Sequence, residues 1–210
     1  RWEPTLGPRS SDGNTVTLTK EAKNVFVDGG ILTICAIKET VQGMPFTSAC
    51  LRLSPAIIKH KFGRFSFRIK SSPVLGTHLA AWTVGDLPSN WPGDGELDFP
   101  EAAITPTATA TAFNHGANPA GGQEIRTSSA LISAWHVYTT EWTEAGVRYY
   151  VDGVQIGAIC AIDPPSTEMR CTLQFETTIT SARTAITSST DTLTKTAHGY
   201  SNGDAVKFEA

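Results

Sequence analysis

Apolar and polar residues alternate along most of this chain in short runs, which is the period of β-strands and not of helices. Val25 to Ile37 reads as two apolar runs about Asp28-Gly29-Gly30, a hairpin signal. In Phe62 to Lys70, Phe65, Phe67 and Ile69 take one face, and Arg64, Ser66, Arg68 and Lys70 take the other. Val137 to Trp142 and Val147 to Val151 form a second alternating pair joined through Glu144-Ala145-Gly146, and Asp152-Gly153 turns the chain into Val154 to Ile156. Cys171 to Phe175 adds another strand. No stretch of about a dozen residues holds a helical repeat without Gly, Pro or β-branched interruption. Many short strands separated by turn signals predict an all-β fold, a two-sheet antiparallel β-sandwich.

The pattern changes after Glu176. Residues 177–196 are dominated by Thr and Ser and can bury little, whereas residues 192–208 have a hairpin's alternation. The expected organisation is a sandwich over 1–178, a linker or edge strand over 179–191, and the start of a further module over 192–210. At 210 residues the chain is long enough for one full-sized core. Its 17 Lys and Arg against 20 Asp and Glu leave a net charge of −3, which argues against nucleic acid as a partner. No apolar run approaches the ~18 residues of a membrane span, so membrane insertion is not expected. Arg1 opens the chain without a signal pattern, and the N-terminus reads as processed or trimmed. Cys35, Cys50, Cys160 and Cys171 form no C-x-x-C pair and no His accompanies them, which argues against a zinc site. Their even number permits two disulfides, but their apolar neighbours favour four buried thiols.

Chemistry concentrates in Trp91 to Glu101, where Glu96, Asp98 and Glu101 fall within six residues. On a plain strand Glu96 and Asp98 share a face, while Glu101, five positions on, would point the other way. One bulge restores the face. Pro100 sits where that bulge is needed, and strand prolines are tolerated mainly at bulges and edges. Three neighbouring carboxyls repel, so at least one should keep its proton, which is the condition a glycosidase exploits. The residues alone leave two alternatives open: a solvated acidic edge, or a calcium site.

Glu96-Leu-Asp-Phe-Pro-Glu101 resembles the E-x-D-x-x-E signature of the laminarinase-like branch of glycoside hydrolase family 16. The similarity extends through Val27 to Ile34, Phe46 to Ser48, Phe62 to Lys70, Gly76 to Trp82, Thr111 to His115, Trp135 to Trp142, Tyr149 to Gly153 and Leu173 to Glu176. It covers roughly residues 15–178, and the ordered series is specific although each piece is not. The resemblance implies a concanavalin-like jelly roll with a concave glycan-binding face and a retaining endo-β-glycosidase acting on a β-linked glucan or galactan. It implies Glu96 as nucleophile, Glu101 as general acid/base and Asp98 as the residue tuning the nucleophile. Trp82 and Trp91 would stack on sugars, His115 would contact a sugar near the cleavage point, and Gln174 and Glu176 would line the cleft. No cofactor is implied beyond a structural calcium ion.

Other residues are expected to be structural: Trp135 and Trp142 in the core, His136 packed, Arg64 and Arg68 on a solvated face, and His60, His78 and His198 at the surface or in turns. The chain also departs from the family pattern. His78-Leu79-Ala80 stands where many relatives carry tryptophan and Pro-Ala, Asn114 where a second histidine is frequent, and no closing strand is recognisable after Glu176. Thr194 to Val206 resembles a short module of bacteriophage tail and fibre proteins. That resemblance implies a virion or secreted, extracellular setting facing bacterial surface glycan, with other tail proteins as multimeric partners. A non-catalytic adhesin of a phage tail is therefore the alternative to the enzyme.

Overall fold

The computed structural model describes residues 2–9, 15–54, 60–72, 76–85, 91–103, 108–116, 123–161, 164–177 and 205–209. Strands are numbered in chain order. A ten-stranded sheet contains β1 (Trp2–Thr5), β2 (Gly7–Arg9), β3 (Val16–Leu18), β6 (Ile37–Val41), β7 (Met44–Leu53), β9 (Thr77–Gly85), β10 (Glu96–Ala103), β11 (Thr109–His115), β12 (Gln123–Leu131) and β16 (Met169–Thr177). A seven-stranded sheet contains β4 (Val25–Asp28), β5 (Ile31–Cys35), β8 (Gly63–Lys70), β13 (His136–Thr143), β14 (Gly146–Val151), β15 (Val154–Gln155) and β17 (Ala205–Glu209). No helix forms among the described residues. Pairing is antiparallel except where β3 runs parallel to β7.

The hairpins follow turn chemistry. Asp28 pairs with Ile31 across Gly29 and Gly30, whose φ values are 55° and 81°. Two left-handed residues make the turn whose twist matches the flanking strands, and glycine takes that conformation without a Cβ penalty. Asp152-Gly153 does the same between β14 and β15.

The core lies between the sheets. The ten-stranded sheet contributes alanines (Ala49, Ala81, Ala102, Ala110 and Ala112) interspersed with Leu79, Leu97, Phe99, Leu173 and Phe175. The opposite sheet supplies Tyr138, Trp142 and Tyr149, all fully buried. Alternating small and large side chains let the two faces interdigitate at crystal-like density. Trp142 donates its indole N–H to the Pro165 carbonyl at 2.8 Å, and Tyr149 its hydroxyl to the Phe113 carbonyl at 2.9 Å, so neither buried polar group is orphaned. Trp135 is only half-buried, with the Arg68 guanidinium 4.6 Å from its ring centroid, and is not a core residue.

Residues 205–209 do not extend away from the sandwich. They form β17 between β5 and β8, with Ala205 opposite Cys35 and Lys207 opposite both Thr33 and Lys70. Without this strand, β5 and β8 would face each other with unpaired backbone groups inside a sheet, which a buried edge does not tolerate. The linker over 179–191 and residues 192–204 lie outside the described residues. All four cysteines are buried thiols outside any disulfide. Burial pushes the thiols of Cys50 and Cys160 up to about 11 and that of Cys171 up to about 12. They act as small core hydrophobes.

Candidate active site

Register assigns the site to one face. Glu96 pairs with His115 and Val84, Asp98 with Phe113 and Trp82, and Glu101 with Thr111 and Ala80. Directly paired residues point the same way, so these side chains share the face turned away from the core. Leu97, Phe99 and Ala102 of the same strand point into the core. The register slips between Asp98 and Glu101, where Phe99 and Pro100 form the bulge. The expected irregularity is there, and all three acids lie on the outer face. Gly95 sets the entry to the strand: its φ is 73°, its N–H bonds the Pro92 carbonyl at 2.7 Å, and a Cβ would lie 2.4 Å from Pro165. Only glycine fits there.

Asp98 is 3 % exposed. Burial, then the charges of Glu96 and Glu101, then a hydrogen bond with Glu96 push its carboxyl well above the usual carboxylate range. These surroundings favour the protonated form of the middle acid. His115 Nε2 lies 3.1 Å from Asp98 Oδ2, and Trp91 donates its indole N–H to Glu96 Oε2 at 2.6 Å. Trp91 is 53 % exposed at the rim, its ring centroid 5.7 Å from that of His115. Trp82 is half-buried beside Asp98, donates to Gln174 Oε1 at 3.1 Å and carries Arg52 5.8 Å from its ring centroid.

Gln174 and Glu176 pair with Ala80 and His78 on the same face, and at 3 % and 0 % exposed they lie deep beside Trp82. Arg9 of β2 reaches both, with 3.5 Å to Gln174 Oε1 and 3.4 Å to Glu176 Oε1. Three residues passed over in the sequence belong to this face: His78, whose Nε2 lies 2.8 Å from Glu101 Oε1, Arg9 and Arg52. The two-residue period His78, Ala80, Trp82 carried the signal for the first. Arg9 carried none, because it reaches the site across 165 residues of chain.

Glu96, Asp98 and His115 also bring possible ligand atoms within 4.8 Å of one another. A hard cation such as calcium takes about six or more oxygen donors, preferably anionic. Here only three residues converge, one donor is imidazole nitrogen and Glu96 Oε2 already accepts from Trp91. The set does not fit calcium.

The model of glycosyl hydrolases family 16 matches residues 12–200. The chain belongs to this family. This family 16 chain is 32 % identical to a beta-glucanase of Rhodothermus marinus over 164 residues, covering 72 % of the chain and 57 % of that relative. It is 29 % identical to the clotting factor G alpha subunit of Tachypleus tridentatus over 160 residues, covering 73 % and 24 %. It thus spans just over half of the first curated relative and a quarter of the second. The laminarinase structure from Rhodothermus marinus superposes with a TM-score of 0.78 at 21 % identity, covering 99 % of this chain and 86 % of that one, and shares its fold.

The proton on Asp98 gives an expected outcome for stability. Below about pH 4, the ordinary carboxyl value, Asp98 is protonated folded and unfolded and contributes nothing. Above it the unfolded chain releases the proton while the folded one keeps it, so this acid subtracts stability at neutral pH. Asp98→Asn should raise the melting temperature at pH 7 by roughly 2–6 °C, the gain of about 1–2 kcal/mol common when a strained site residue is relieved. The gain should vanish as pH falls towards about 4. Thermal unfolding followed by circular dichroism across pH checks both parts.

Proposed function

We propose that this family 16 chain is a retaining endo-β-glycosidase acting on a β-linked glucan of the laminarin type. One observation carries the reading: Glu96, buried Asp98 and Glu101 stand on one outer face of a bulged strand. In the first step Glu96 attacks the anomeric carbon as the glycosidic bond breaks, and Glu101 gives its proton to the departing oxygen. In the second, Glu101 takes a proton from water, whose oxygen displaces Glu96 from the anomeric carbon. Asp98 donates to Glu96, keeps it the ionised member of the pair and holds its orientation. For two carboxyls working in this way a separation of about 5–6 Å is expected. Trp91 and Trp82 offer indoles at the rim and wall for sugar C–H faces.

The substrate class is supported by the names of relatives, a beta-glucanase and a glucan endo-1,3-beta-glucosidase A1 of Niallia circulans. A fold neighbour, LamA E269S of Zobellia galactanivorans, was solved with laminaritriose and laminaritetraose. The test is reducing-end release from laminarin, lichenan, agarose and bacterial wall polysaccharide, with the first-formed anomer read by proton NMR. Oligosaccharides of mixed length carrying the β-anomer are expected from laminarin. An α-anomer product would assign inversion instead. A second reading, a glycan-binding adhesin, draws on Trp91, whose N–H already occupies Glu96 Oε2. Binding to laminarin without any reducing-end release would establish it. Attachment to a phage tail rests on the resemblance of Thr194 to Val206, and virion mass spectrometry tests it.

A further inference from the structure

His78 lies on β9 two residues before Ala80, the partner of Glu101, and so sits diagonally across the strand pair on the same outer face. Its Nε2 meets Glu101 Oε1 at 2.8 Å, with the side chains 18 % and 26 % exposed. Its other neighbour in register is Glu176 on β16, which Arg9 of β2 approaches at 3.4 Å. Glu176 thus has a cation of its own, and the ring nitrogen is given to Glu101. Asp98 and Glu96 complete the charged groups along the adjoining strand.

We propose that His78 is a positioning residue for Glu101, holding Oε1 so that Oε2 carries the transferable proton towards the glycosidic oxygen. The inference rests on the glycosidase reading above. A neutral imidazole with its proton on Nε2 donates to Oε1, which leaves Oε2 as the only oxygen of the acid that bears hydrogen. Free rotation about the last side-chain bond of Glu101 would otherwise exchange the two oxygens. As the proton passes to the leaving sugar, Glu101 becomes a carboxylate and the contact turns into a charge-assisted hydrogen bond, about twice as strong as a neutral one. The gain therefore grows along the reaction coordinate, and an interaction stronger in the transition state than in the ground state raises kcat. No proton leaves the imidazole, so the ring is unchanged at the end of each step.

This role separates from mere packing by leaving group. A sugar must be protonated to depart, whereas dinitrophenolate departs as the anion and needs no acid. The 210-residue chain is compared with His78→Phe, which keeps a ring without a donor, and His78→Gln, whose amide N–H occupies the place of Nε2. The two probes are laminarin at steady state and a dinitrophenyl β-laminarioside in the first burst of phenolate. His78→Phe should lose about 10- to 100-fold in kcat on laminarin, the scale of assisted proton transfer, and less than about threefold in the burst. His78→Gln should recover most of the laminarin rate. Equal losses on both substrates, no loss on either, or a Gln variant as slow as the Phe variant would overturn the proposal. A wild-type chain inactive on both substrates would instead defeat the glycosidase reading, and the role of His78 would fall with it.

Discussion

Glu96→Gln should lower turnover of laminarin by at least about a thousandfold while leaving glycan binding within about twofold. An amide is isosteric with the carboxyl, and its oxygen still accepts from the Trp91 indole, so the fold and groove should persist. It is not a nucleophile, however, and removing the attacking group from a covalent mechanism eliminates most of the chemical step. The measurements are reducing-sugar kinetics beside calorimetric titration of laminari-oligosaccharides. Full activity in this variant would remove Glu96 from the mechanism. Small nucleophiles supply a second check. Azide added to a variant shortened to Glu96→Ala should restore part of the rate and give an inverted azido product, since it attacks from the side the carboxylate vacated.

Phe99→Ala should be the most damaging change outside the acids, because Phe99 joins the bulge to the core. Its ring is 2 % exposed and stands edge-on to Tyr138 and Tyr149, each with centroids 5.3 Å away. Deleting a buried phenyl costs about 3–5 kcal/mol through lost transfer energy and the cavity left behind. For a chain of this size that is a fall of roughly 10 °C in melting temperature. The loss should reach function too. Phe99 lies in the register slip that brings Glu101 onto the face of Glu96, so a loosened bulge lets the second carboxyl wander. Activity measured well below the new melting point should still be reduced about tenfold or more, since small misplacements of reacting groups carry penalties of that order. Phe99→Leu, which keeps most of the volume, should lose much less of both. A variant that melts early yet runs at the wild-type rate when cold would show that the bulge holds its geometry without the ring.

The bulge was legible beforehand because its logic is local. A two-residue period, an acid at an odd offset and a proline between them are enough to demand one extra residue in β10. The hairpins at Gly29-Gly30 and Asp152-Gly153 were legible for the same reason, since their turns require left-handed residues whatever surrounds them. Periodicity put the three acids on one face, and the family resemblance implied Trp82 beside them. Neither could say that Arg9, arriving from β2, would reach both Gln174 and Glu176 of β16.

The chain's own order of residues thus determined which segments are strands, where they turn and which face each side chain takes, because these depend on backbone sterics and on neighbours a few residues away. Tertiary structure decided which strands lie side by side and at what register, and those contacts join residues far apart in sequence. Ala205–Glu209 carries too few residues to announce a place between β5 and β8, yet the open edges of those strands supply one. His78 looks like any surface histidine until β9 is laid against a bulged β10, when its Nε2 comes to 2.8 Å from Glu101. Local period fixes direction; only the pairing of distant strands fixes distance, and hydrogen bonds and proton transfers depend on distance.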